Sequence, residues 1–144
     1  MTGLERIQKL ITGELPPPPI AQLIGFRVTA VEPGRATVLF EAEPRHANPM
    51  GTLHGGILCD VTDAAMGMAY SALLKEGESF TTLELKINFF KPVWNDTLRA
   101  EAKMVKPGKT IGVVECDVFD AKGSLVARAS STCMTLRGAE AADR

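Results

Sequence analysis

Apolar residues at the start of the chain fall at helical spacing. Leu4, Ile7, Leu10 and Ile11 predict a short amphipathic helix over 4–12. The four prolines Pro16 to Pro19 cannot extend it and predict a stiff, extended connector. From Phe26 the period becomes two. Phe26, Val28 and Ala30 alternate with Arg27, Thr29 and Val31, Pro33-Gly34 marks a turn, and Ala36, Val38, Phe40 and Ala42 resume the alternation. This predicts a hairpin of half-buried strands. Residues 44–56 (PRHANPMGTLHGG) are rich in turn formers and read as a loop. Residues 57–74 (ILCDVTDAAMGMAYSALL) are apolar nearly all round and rich in helix formers, so they predict a helix that its neighbours cover on most sides.

Four more strand patterns follow. Leu83, Leu85, Ile87 and Phe89 alternate with Thr82, Glu84, Lys86 and Asn88. Leu98, Ala100, Ala102 and Met104 alternate with charged residues, Val114, Cys116 and Val118 alternate with Glu115 and Asp117, and residues 125–136 complete the set. Pro92, Pro107-Gly108 and Lys122-Gly123 punctuate them. The links are too short for crossover helices, so neighbouring strands run antiparallel. The expected class is α+β: a curved antiparallel sheet of about six strands around one long central helix, plus a short N-terminal helix. Residues 1–19 read as N-terminal helix and connector, 20–137 as the domain, and 138–144 as a short, frayed tail.

Composition narrows the function. A chain of 144 residues, 45% apolar and 23% charged, fits one globular domain and excludes a disordered or collagen-like chain. Sixteen basic and 17 acidic residues leave a net charge of -1, which disfavours a dedicated nucleic-acid binder. Cys59, Cys116 and Cys133 are odd in number, lack metal-like spacing and sit in apolar stretches, as buried free thiols of a reducing compartment do. The N-terminal segment has no apolar core and reads as neither signal peptide nor anchor. Asp60 and Asp63 make the longest apolar run a poor membrane span. A cytoplasmic location is the expectation.

The candidate chemistry lies in residues 48–63. An ionised carboxylate on a buried helix is costly unless paired or solvated, and the helix offers Asp60 and Asp63 no cation before Lys75. At least one therefore faces a cleft. Asp60, one turn in, suits a cap or a hydrogen bond to the preceding loop. His54-Gly55-Gly56 stands at the helix start, where free N–H groups and the helix dipole favour an oxyanion or a polarised carbonyl. The alternative is that the glycines only shape a tight loop and His54 satisfies a local hydrogen bond. There is no G-x-S-x-G nucleophile motif and no metal cluster, the only histidines being His46 and His54.

The pattern N-x-x-G-x-x-H-G-G with an acid nine residues after the histidine (Asn48, Gly51, His54, Gly55, Gly56, Asp63) resembles the hotdog-fold acyl-CoA thioesterases, above all the PaaI-like phenylacetyl-CoA thioesterase group. The resemblance runs through residues 23–136, with 86–92 (KINFFKP) similar to the family's third strand and 123–132 (GSLVARASST) to its last. It implies a long helix wrapped by an antiparallel sheet. It also implies roles: the Gly55 N–H polarises the thioester carbonyl, Asn48 helps hold that carbonyl or the attacking water, His54 orients the loop and assists binding, and Asp63 acts as general base or nucleophile. In this family the acid faces the carbonyl-binding loop of the other protomer, so the resemblance implies a homodimer, or a homotetramer built as a dimer of dimers. The family's Ser or Thr near the acid corresponds to Thr82, which falls on the polar phase of its strand and is either exposed, at the dimer seam, or an ordinary strand threonine. Gly56, Lys91, Lys106 and Lys109 are the candidate substrate-binding residues, the lysines for the phosphates of coenzyme A.

The expected function is hydrolysis of an acyl-CoA, with a medium-chain, aryl or phenylacetyl-type acyl group, to free acid and CoA. No cofactor, metal, nucleic acid or membrane partner is expected, since CoA is part of the substrate. The alternatives are a hotdog dehydratase or hydratase of 3-hydroxyacyl thioesters, and a non-catalytic acyl-CoA-binding protein.

Overall fold

A computed structural model describes residues 1–144. The elements are α1 (Gly3–Thr12), α2 (Pro19–Ile24), β1 (Phe26–Glu32), β2 (Arg35–Ala42), a 3-10 turn (Pro44–His46), α3 (Gly55–Ser71), β3 (Ser79–Phe89), β4 (Asp96–Lys106), β5 (Ile111–Phe119), β6 (Leu125–Leu136) and α4 (Ala139–Ala142). The six strands form one antiparallel sheet in the order β1-β2-β4-β5-β6-β3, with α3 packed chiefly against β2, β4 and β5. The expected α+β fold is the one observed.

Local chemistry accounts for most boundaries. A capping box opens α1, with the Thr2 hydroxyl accepting from the Glu5 N–H and the Glu5 carboxylate from the Thr2 N–H. Gly13, at φ 82°, closes it in the left-handed conformation that favours glycine. Two expectations are corrected here. Pro19 does not continue the connector but opens α2, because a proline at the first helical position loses no hydrogen bond. The tail is not wholly frayed: Ala139–Ala142 form one helical turn that buries Ala141.

The core matches the period-two pattern. Ala36, Val38, Phe40 and Ala42 of β2, Leu98, Ala100 and Ala102 of β4, and Val114, Cys116 and Val118 of β5 are all buried. They meet Leu58, Val61, Ala65, Met66 and Ala69 of α3. The small residues on this helix face let it lie close to the sheet. One face stays open, carrying Gly56, Asp60 and Asp63.

The two sheet edges differ. Helix α1 packs on β1, and its first residue is tied to the turn that follows α3 by the Gly3 N–H donating to the Leu74 carbonyl (3.4 Å). Strand β3 has no strand beyond it, and an uncovered edge is a template for pairing.

The expected alternation fails in β3. Thr82 pairs with Cys133 but Glu84 pairs with Thr132, so Leu83 is an extra, bulged residue. The bulge inverts the phase. Before it, Phe80 and Thr82 turn toward α3; after it, Leu85 and Ile87 do, and Leu83 is thrown outward at 53% exposure.

Candidate active site

The loop before α3 is pinned by His46. Its Nε2 lies 2.8 Å from the Ile24 carbonyl and its Nδ1 accepts from the Glu43 N–H at 3.0 Å, which requires the neutral Nε2–H tautomer. The ring is buried and packs edge-on against Phe40, with centroids 4.8 Å apart. The His46 carbonyl accepts from the His54 N–H (2.9 Å), and the Val93 carbonyl from the Leu53 N–H (2.7 Å). These bonds deliver the chain to the first turn of α3 at a fixed angle.

Between them, Asn48 closes a tight turn. Its Oδ1 accepts from the N–H groups of Met50 (2.9 Å) and Thr52 (3.2 Å), and its Nδ2 donates to the Thr52 hydroxyl (2.8 Å). Gly51, at φ 89°, supplies a turn conformation that residues with a Cβ rarely adopt. One Nδ2 hydrogen of Asn48 remains for a ligand.

Helix α3 starts at Gly55, two residues earlier than the apolar run suggested, with His54 as N-cap and no side-chain cap. The N–H groups of Gly55 and Gly56 therefore have no acceptor in the helix and none in the loop. Both glycines leave room for side chains that lean on the first turn. A Cβ on Gly56 would stand 2.8 Å from His54 Nε2, because the imidazole folds back over the first turn. A Cβ on Gly55 would stand 2.9 Å from the Phe89 ring.

Two turns along, Asp63 is exposed on the open face and accepts from the Thr82 hydroxyl (Oγ1 to Oδ1, 3.1 Å). Thr82 also lies 3.9 Å from Cys133 Sγ, a thiol that burial holds above its ordinary range. Thr82 is half-buried, because the bulge carries it off the polar phase and onto the acid.

Asp60 does not cap the loop, as expected of it, and makes no hydrogen bond. Partial burial, and after it the neighbouring Asp63, hold its carboxyl above the ordinary carboxylate range, with His54 pulling the other way. The folded state therefore holds the Asp60 proton more tightly than the unfolded chain does. Ionisation costs stability as pH rises through the raised range, and the cost is absent at lower pH. Asp60→Asn is expected to stabilise the protein at pH 7 by about 0.2–0.5 kcal/mol, the size of a like-charge pair one turn apart on a helix. The gain is expected to vanish near about pH 3, where carboxyls are protonated. Urea midpoints of both proteins across that range check it.

The lysines fall apart spatially. The Lys91 ammonium is bound to the buried carboxylate of Asp120, which also accepts from the N–H groups of Lys122 (3.1 Å) and Ser124 (2.9 Å). Those bonds, Lys91 first, hold the Asp120 carboxyl below the usual range. Lys106 and Lys109 are exposed on the β4–β5 hairpin. Lys109 lines a hollow of about 390 Å3 with Tyr70, Leu74 and Arg137, at the C-terminal end of α3 and away from the Gly55 end. Arg137 escaped the sequence reading. Its guanidinium binds the Lys109 carbonyl and, at 2.7 Å, Glu78. Phe89 and Phe90 escaped it too. They line an apolar cavity of about 470 Å3 beside Gly55, and a bare strand alternation gives no sign of it. The larger hollow of about 710 Å3 lies on the outer face of the sheet among charged residues such as Glu101, Lys103 and Asp117 and is remote from α3.

A curved sheet wrapped around one helix, with a free helix start and a carboxylate beyond it, defines a hotdog-fold protein of the PaaI-like kind. The chain belongs to the thioesterase superfamily, whose family model matches residues 50–127. A solved phenylacetic acid degradation-related protein from Ralstonia eutropha JMP134 is similar at 31% identity and a TM-score of 0.82, over 89% of this chain and 98% of that one. A Saccharolobus solfataricus protein that bears a provisional esterase name is 33% identical over 118 residues, 82% of this chain and 84% of its own. Acyl-coenzyme A thioesterase 13 of Homo sapiens is 26% identical over 107 residues, 73% of this chain and 76% of its own. Membership of that superfamily supports a hydrolase acting on thioesters. No helix in it is long and apolar enough to cross a membrane.

Proposed function

We propose that this protein hydrolyses acyl-CoA thioesters at a site shared between two copies of the chain. The observation that carries the reading is the spacing on α3. Gly55 and Asp63 are eight residues apart on one helix, which at 1.5 Å per residue is about 12 Å. One carbonyl cannot meet both, since oxyanion donor and base must each work within roughly 3 Å of the reacting atoms. A two-fold axis beside the open face of α3 resolves this. Two antiparallel copies of the helix bring the Gly55 end of one to the Asp63 turn of the other, and the pairing is self-complementary. The open edge of β3 supports such pairing. The same operation carries the hairpin lysines Lys106 and Lys109 from the far end of one helix toward the Gly55 end of the other, where the phosphates of coenzyme A would meet them. The homodimer, alone or doubled into a homotetramer, is the working unit.

In this reading the Gly55 N–H and the free Nδ2 hydrogen of Asn48 hold the thioester oxygen. Gly56 keeps the approach open, and His54 lines it. Thr82 occupies Asp63 Oδ1 as a donor and leaves Oδ2 to take a proton from water. The resulting hydroxide adds to the carbonyl carbon, negative charge collects on the oxygen facing Gly55, and collapse breaks the carbon–sulfur bond to release the acid and CoA thiolate, the proton on Asp63 passing to the thiolate sulfur or to water and restoring the carboxylate. Losing one such oxyanion donor costs about 100- to 1,000-fold in comparable sites. The acyl group is medium-chain, aryl or phenylacetyl-type. The chemistry calls on no cofactor or metal, and the free thiols Cys59, Cys116 and Cys133 support a reducing, cytoplasmic setting.

Subunit mixing tests the shared site. Asp63→Asn and Gly55→Pro chains are each expected to be inactive alone, since a proline at the first helical position keeps the helix but removes the N–H. A heterodimer of the two, isolated through two different tags, contains one intact site and is expected to recover about half of the wild-type rate. No recovery would place the whole site within one chain. Binding of acyl-CoA by the wild type with no thiol release would replace the hydrolase by a binding protein.

A further inference from the structure

We propose that Phe89 sets which acyl groups the site accepts, its ring forming the wall of an acyl slot that opens beside the Gly55 N–H. The inference rests on the carbonyl-holding role proposed for Gly55. Phe89 is the last residue of β3 and follows Leu85 and Ile87 on the inward phase that the bulge creates. Unlike Ile87, it has no core above it and stays 52% exposed. Its ring rests on Gly55, the ring atoms lying 2.9 to 3.4 Å from where a Cβ would be. An aromatic residue half open to water in that position borders whatever binds the adjacent N–H.

The cavity beside it identifies the occupant. Leu53, Leu58, Phe89, Phe90, Pro92 and Val93 supply its side-chain walls, and its volume is about 470 Å3, within the range of small-molecule sites. Its one cation, Lys91, is bound to Asp120. A thioester has two arms. The pantetheine arm carries two amides, which lose free energy when buried without partners. These six side chains offer no hydrogen-bonding group, so the slot suits the acyl arm. A flat acyl group can lie along the Phe89 ring, whereas one branched next to the carbonyl must displace it. The two contacts between β3 and α3 divide the work: Thr82 with Asp63 serves the acid, and Phe89 with Gly55 serves the acyl group.

The test compares wild type, Phe89→Ala and Phe89→Leu for thiol release from straight-chain, aryl and α-branched acyl-CoAs, with free CoA as an inhibitor. The expected result is a shift of at least about tenfold in the kcat/KM ratio of α-branched to straight-chain substrates in Phe89→Ala, and a smaller shift in the same direction in Phe89→Leu. Inhibition by free CoA is expected to stay within about threefold of wild type, a change too small to count as a lost contact. An equal loss on every substrate in both variants overturns the assignment and makes Phe89 a packing residue. Weakened inhibition by CoA with unchanged acyl preference overturns it in favour of the pantetheine arm. A wild type that releases no thiol from any acyl-CoA overturns the hydrolytic reading and this inference together, whereas an active wild type with unaltered ratios overturns this inference alone.

Discussion

Asp63→Asn is expected to cut thiol release from acyl-CoA substrates at least about 100-fold, the usual minimum for a lost general base. The substitution keeps the shape of the side chain and an oxygen to accept the Thr82 hydroxyl, but removes the oxygen proposed to take up the proton of water. Asp63 is exposed on α3 and bears none of the core, so the fold is expected to persist. The effect belongs to kcat, with CoA still binding, because the proton moves only in the chemical step. Steady-state thiol release beside a binding isotherm for free CoA checks both halves. A variant retaining more than about a tenth of the wild-type rate would remove Asp63 from the mechanism.

Phe40→Ala is expected to cost about 3–5 kcal/mol of stability, the range for deleting a buried aromatic ring. Phe40 is 1% exposed and stands in β2, between α3 and the His46 loop. Removing it leaves a void that the surrounding strands cannot close and takes the edge contact from His46. Through the His46 carbonyl that loop holds the His54 N–H, so thiol release is expected to fall as well, at temperatures where the variant is still folded. Urea denaturation at one fixed protein concentration measures the first effect, since pairing of chains would shift the midpoint with concentration. A loss under about 1 kcal/mol would mean that the core refills the space.

The site was legible where chemistry is local. His54-Gly55-Gly56 announces a helix start without side-chain caps, and the structure puts free N–H groups there. An acid without a cation partner on an apolar helix must face an opening, and Asp63 does. The same logic misjudged Asp60, because a carboxylate near a helix start has two ways out of the core, a cap or an open face, and sequence spacing cannot tell them apart. It also grouped Lys91 with Lys106 and Lys109 as cations, whereas Asp120, 29 residues on, holds Lys91 at a turn.

By itself the sequence determined the α+β class, the strand faces of β2, β4 and β5, the buried helix and the N-x-x-G-x-x-H-G-G loop. Each rests on a period or a backbone preference expressed within a few neighbouring residues. Only the tertiary structure decided what β3 does. One extra residue, Leu83, inverts the strand, so Thr82 reaches Asp63 and Phe89 reaches Gly55. A bulge is set by how β3 registers against β6 and packs on α3, over contacts some 20 to 50 residues apart in the chain, and leaves no mark on the alternation of apolar and polar residues.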